Sequence, residues 1–215
     1  MMHRFLIILA GCLLSTSVLA SPSDAFFPLN QAIAILADGR YSDLLTKEVE
    51  ELNAVTQQLE NRFTAAGINV PEDYEKTLRF DADLLRAASN SQSGTSATKL
   101  VREVLEDLHY KDVASQRKGM GISIGLLSPL IKLNITTTTK GREEKGYLVR
   151  CNPRRFADIK NAMFIFNKPS SPTSYLMPPG MYVCFAMQEG SIQGKQEVSV
   201  GLAGSDHEEA TITLP

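Results

Sequence analysis

The chain has 215 residues, 43% hydrophobic and 21% charged, with a formal net charge of −2. That near-balance excludes the strongly basic surface of a nucleic-acid binder or of a protein drawn to acidic membranes. The lack of Trp and an aromatic content of 7% argue against a stacking platform for sugars or nucleobases.

Residues 1–20 open with basic Arg4 and continue as an apolar run from Phe5. They end in Val18-Leu19-Ala20 before Ser21-Pro22. This is the layout of a secretory signal peptide cut after Ala20. Two other readings stay open. Leu9-Ala10-Gly11-Cys12 has the form of a bacterial lipoprotein box, which would put a lipid anchor on Cys12, although only Phe5–Gly11 precedes the cysteine as apolar core. An uncleaved anchor needs roughly 20 apolar residues, and Ser15, Thr16 and Ser17 interrupt the run. The expectation is an exported protein, periplasmic or secreted, without a transmembrane span in the mature chain. Cutting after Ala20 leaves 195 residues with a net charge of −3, enough for one or two domains. It also discards Cys12. Cys151 and Cys184 then read as one disulfide, contributing about 3–4 kcal/mol on the loop-entropy model.

The pattern over about 27–112 is helical. Leu29, Ile33, Leu36 and Ala37 form one apolar stripe, which Gly39 is placed to end. Ser42 reads as the N-cap of a second helix. Along it Leu45, Val49, Leu52, Thr56, Leu59, Phe63 and Ala66 recur at spacings of four and three, a coiled-coil-like seam closed by Gly67. Pro71 opens a third helix with Tyr74, Leu78, Ala82, Leu85 and Ala88 on one face. Ser89–Ser96 reads as a flexible polar link. A fourth helix follows, with Leu100, Val101, Val104, Leu105 and Leu108 inward. A small helical bundle is expected.

Over about 118–215 the period changes to two. Ile131, Leu133 and Ile135 alternate with Lys132, Asn134 and Thr136, and Lys140–Gly146 reads as a charged hairpin loop. Tyr147, Val149 and Cys151 share a face of the return strand. Further strands are expected at Met163–Phe166, Tyr182–Met187, Glu197–Gly201 and Ala210–Leu214, with a tight corner at Pro178-Pro179-Gly180. Gly119–Gly125 reads as a glycine-softened strand entering the sheet, since it has neither a P-loop lysine nor a following helix. The predicted fold class is α+β, a small helical bundle followed by an antiparallel β-sandwich.

Gly146–Pro153, Phe166 to Thr173, and Leu176 to Pro179-Gly180-Met181-Tyr182-Val183 together resemble the transthyretin-like sandwich of carboxypeptidase regulatory-like domains. The resemblance covers the C-terminal half. It implies a proline–glycine corner leading into a Tyr-Val strand, a closing strand at Glu208–Leu214, and an accessory role. Leu36–Tyr41 weakly resembles the turn of a tetratricopeptide-like helical hairpin, without a second copy. Tyr182 stands two residues before Cys184, the spacing of the tyrosine corner in immunoglobulin-like sandwiches, whose hydroxyl bonds upstream backbone.

Candidates for chemistry are few. His109 reads as a surface histidine at the end of the fourth helix. His207, within Ser205–Glu209, reads as part of a solvated turn between strands. Neither has zinc-ligand spacing. Asp81 and Asp83 are two apart and cannot share a helix face. Asn134-Ile135-Thr136 matches a glycosylation sequon on a strand. Arg150, Arg154 and Arg155 form a modest basic cluster, a candidate partner-binding site. No residue reads as catalytic, metal-ligating or cofactor-binding.

The leading expectation is an exported non-catalytic interaction module, with a protein partner or self-association through the helical domain. One alternative is an exported hydrolase or its accessory subunit, with carboxylates converging in the inter-domain groove. Another is a carrier with an apolar pocket lined by residues such as Phe63, Leu78 and Leu85.

Overall fold

A computed structural model describes residues 20–119, 130–154, 157, 164–170, 172–201 and 207–215. Four helices come first: α1 (Pro22–Ala37), α2 (Thr46–Ala66), α3 (Glu72–Ser89) and α4 (Gly94–Gly119). Eight strands follow: β1 (Ile131–Thr139), β2 (Arg142–Glu143), β3 (Leu148–Pro153), β4 (Phe164–Ile165), β5 (Thr173–Met177), β6 (Gly180–Gln188), β7 (Ser191–Val200) and β8 (His207–Thr213). The expected α+β class, a helical bundle followed by two packed sheets, is what the chain forms. The leader, including Cys12, lies outside the described residues apart from Ala20. So does 120–129, where most of the glycine-rich strand was expected.

The helix ends follow local chemistry with one exception. Ser21 caps α1, its hydroxyl accepting from the Asp24 amide at 3.3 Å, with Pro22 next. Gly39 follows the end of α1 because a Cβ there would lie 2.9 Å from the Ile35 carbonyl oxygen. Gly67 ends α2 in the left-handed conformation, φ 63°. The exception is Ser42, which does not cap α2. The helix starts at Thr46, whose hydroxyl donates to the Ser42 carbonyl at 3.0 Å. Leu45, the residue before it, is fully buried and its amide donates to the Tyr41 carbonyl at 3.0 Å, so a separate turn precedes the helix. The polar link is shorter than expected, because α3 continues through Ser89 and α4 begins at Gly94.

Around the bundle the neighbours run α1–α2–α4–α3, with α1 on α2 and α3, and α4 on the same two helices. The α2 seam from Leu45 to Phe63 is buried inside this bundle. It is therefore consumed within the chain, and any self-association must use another surface. Ala66, the last seam position, is exposed. Phe63, Leu78 and Leu85 fill the same core, with the Phe63 ring 5.1 Å from Tyr74 and 5.9 Å from Phe26.

In the first sheet β1 is central. It pairs antiparallel with β5 and, at its far end, with β2, while β8 pairs with it in parallel. The second sheet runs β4-β3-β6-β7, all antiparallel. The charged hairpin is tighter than expected: Lys140 and Gly141, at φ 50° and 76°, turn the chain onto β2. The strand beginning at Leu148 is therefore no return strand to β1; it crosses to the second sheet and pairs with β6. Its predicted inner face holds, with Val149 and Cys151 fully buried. Inward residues of both sheets, Leu133, Ile135, Phe164, Phe166, Cys184, Val200 and Ile212 among them, form one core.

Cys151 and Cys184 are bonded. They are direct partners in the β3–β6 register, 4.0 Å apart at Cα, so the staple lies within one sheet rather than between two. The Tyr182 hydroxyl donates to the Pro178 carbonyl at 2.8 Å, closing the predicted tyrosine corner. Among the described residues no helix is long and apolar enough to cross a membrane.

Candidate functional site at the helix–sheet junction

The first place where chemistry-bearing side chains converge was not singled out from the sequence. Lys111 on α4 is 1% exposed. Its ammonium donates to Asp107 one turn earlier on α4 and lies 3.5 Å from Asp81 Oδ2 on α3. A buried lysine is tolerated only beside opposite charge, and two carboxylates supply it. Asp83, expected not to share a face with Asp81, faces solvent and pairs with Arg86 at 2.8 Å.

The sandwich closes over this cluster. Thr77, Asp81, Glu106, Asp107 and Tyr110 from the helices meet Pro153, Arg154, Met181 and Tyr182 from the sheet around a cavity of about 30 Å³, room for roughly one water. Gly180, at the predicted corner, packs closely on the helices: a Cβ would sit 3.0 Å from Asp107 Oδ1, and its φ of 156° is one that side chains rarely adopt. Burial, and then the nearby Asp81 charge, hold the Tyr182 phenol well above its ordinary pKa of 10.0. The Tyr74 phenol is raised by burial first and by Asp81 and Asp112 next. The phenols therefore face the carboxylates as neutral groups.

Two further ties flank the cluster. Tyr175 on β5 donates to Asp73 Oδ2 on α3 at 3.0 Å. Burial first, and then the Asp73 charge, raise its pKa above 10.0. Arg62 on α2 pairs with Asp112 at 2.9 Å and donates to Ser115 Oγ at 2.6 Å, tying α2 to α4. Gly201 (φ 95°) seats the end of β7 against Pro179 and Ala114, where a Cβ would lie 2.9 and 3.1 Å from their Cβ atoms. With Lys111 between them, Asp81 and Asp107 form an ion-pair lock between α3 and α4, on the side of the bundle that meets the sandwich.

The predicted arginine cluster separates. Arg150 lies on the outer face of β3, its guanidinium 5.2 Å from the Phe185 ring centre. Arg154 instead lines the junction cavity and an adjoining open groove with Leu44, Lys99, Arg102, Glu103 and Glu106. Arg155 lies outside the described residues. His109 is not at a helix end, because α4 continues to Gly119; it pairs with Glu51 on α2 at 2.8 Å. His207 is not in a turn but opens β8 opposite Lys132. Asn134 of the sequon sits mid-strand in β1, paired on both sides.

The outer face of the second sheet carries a group of exposed apolar side chains. Ile165, Arg150 and Phe185 lie in one register row, and Leu148, Met187 and Ile192 in the next. Leu148, Ile165 and Ile192 are 44%, 50% and 51% exposed.

The signal for the junction was present in the sequence. Asp81 continues the stripe Tyr74, Leu78, Leu85, and Lys111 continues Val104, Leu108, each at steps of three and four. Charge at a core-facing helix position marks a buried ion pair. No protein-family model, curated protein or solved structure matches the chain.

Proposed function

We propose that this protein is an exported, non-catalytic interaction module. In this reading the leader directs export, periplasmic or secreted. The sandwich, transthyretin-like in its corner and its Tyr-Val strand, is tied to the bundle by the Tyr175–Asp73 hydrogen bond beside the Asp81–Lys111–Asp107 cluster. The disulfide and the lack of a membrane-crossing helix among the described residues are compatible with an exported protein. The observation that carries the binding role is the outward set Leu148, Ile165 and Ile192 beside Arg150, since contiguous exposed apolar side chains mark interaction surfaces. The partner on this face is a protein.

The test compares wild type with Leu148→Asp/Ile165→Asp in affinity capture from the exporting cell's envelope fraction and in sedimentation for self-association. Capture or self-association that depends on this face supports the reading. Equal retention by both proteins refutes this face as the surface. Turnover of a peptide, ester or glycan abolished by one point mutation refutes the non-catalytic assignment.

A further inference from the structure

The two sheets end in neighbouring edge strands, β7 and β8, which are not paired with each other. Among the described residues β7 pairs only with β6, and β8 only with β1. The two strands touch at one end, where a Cβ on Gly194 would lie 2.8 Å from the Thr213 carbonyl oxygen and 3.0 Å from Ile212 Cγ2. Away from that contact they border a groove of about 630 Å³, lined by 196–199 of β7 and 207–211 of β8. Its walls include small side chains, Ser199, Ala210 and Thr211. The nearest tie across it is made by a side chain: the Gly201 amide donates to Glu208 Oε1 at 2.7 Å.

A sheet edge offers a row of main-chain donors and acceptors and invites another strand. The charge of this groove selects which one. Glu197, Glu208 and Glu209 line it with His207, and among the described residues no Lys or Arg does. Two copies of this chain meeting here would oppose like charges across the new pairing, which is destabilising. An extended segment with Lys or Arg on alternate residues brings its cations to Glu197 and Glu209 while its backbone bonds the strand edge.

We propose that the β7–β8 groove is a strand-addition site for an extended basic peptide of a protein partner. The site is separate from the outer face of the second sheet and goes beyond the reading given above. Occupation would bridge the two sheets along the β7–β8 border.

The probe is a capped peptide of alternating Lys and Val, about seven residues long, near the length of an ordinary strand, titrated onto the intact protein. Saturable binding is expected, with slowed amide exchange at 196–199 and 208–211 and weakening as salt rises. Glu197→Gln/Glu209→Gln should weaken binding about tenfold or more. A peptide of the same sequence with N-methylated alternate amides keeps the charge but cannot pair, and should not bind. A Glu–Val peptide should not bind either. Equal binding of the N-methylated and parent peptides, or exchange slowed elsewhere only, overturns the strand-addition site. Equal binding of the Glu–Val peptide overturns the charge selection. Leu148→Asp should leave peptide binding unchanged, so failure here and failure of the outer face are separately visible.

Discussion

Replacing Lys111 with Met tests the junction most directly. Met keeps most of the aliphatic stem, so the cavity term is small, below about 1.5 kcal/mol. What is lost is the ammonium that pairs with both Asp81 and Asp107. With Lys111 and Asp81 both almost fully enclosed, the screening that makes surface pairs weak does not apply. Removing one partner of a buried pair costs about 3–5 kcal/mol, because the remaining charge stays desolvated. For a chain of this size that lowers Tm by about 10 °C. Calorimetry and urea unfolding followed by far-ultraviolet circular dichroism measure the loss. Amide exchange at Gly180–Tyr182 and along α3 should accelerate together, because both border the lock. The combination Lys111→Met/Asp81→Asn/Asp107→Asn removes the charges as a set and should recover most of the loss. If Lys111→Met stays within about 1 kcal/mol of wild type, or the combination is no better than the single variant, the cluster is not a lock.

Tyr182→Phe removes the bond to Pro178 and leaves a buried carbonyl without that donor, an expected loss of about 1–3 kcal/mol in urea unfolding. Cys151→Ala/Cys184→Ala should lose about 3–4 kcal/mol relative to the oxidised protein; intact mass after alkylation of wild type should show neither Cys151 nor Cys184 labelled. Tyr74, Tyr175 and Tyr182 have folded pKa values raised above 10.0, so the unfolded chain releases these protons first. Stability is therefore full below about pH 10 and falls above it. Absorbance at 295 nm should show Tyr74 and Tyr182 ionising only with unfolding; their reversible ionisation in the native state near pH 10 would contradict the burial. Gly201→Ala places a methyl against Pro179 and Ala114 at φ 95° and should cost about 1–3 kcal/mol by the same urea assay.

Much of the architecture was legible because it is local. Apolar spacing along α3 and along β1 states which face is inward, and Gly67 and Pro178-Pro179-Gly180 state where the chain turns. The tyrosine corner was legible for the same reason, since Tyr182 and its acceptor Pro178 are four residues apart. Strands β5 and the first half of β7 were missed because Thr173–Met177 and Ser191–Lys195 alternate weakly, and their pairing partners rather than their own residues order them. Arg150, Arg154 and Arg155 are near neighbours in sequence, but strand alternation and the end of β3 send Arg150 and Arg154 to different surfaces.

The sequence by itself determined the succession of helices and strands, the inward faces and the cysteine pair, because periodicity and turn chemistry act within a few residues. Only the tertiary structure decided that Asp81 and Lys111, on different helices, meet beneath Tyr182, and that β8 runs parallel to β1 and borders β7 without pairing with it. Those are contacts between distant segments. Their energetics rest on pairing charges that burial desolvates and on which strand edges meet, and no local pattern names the partner.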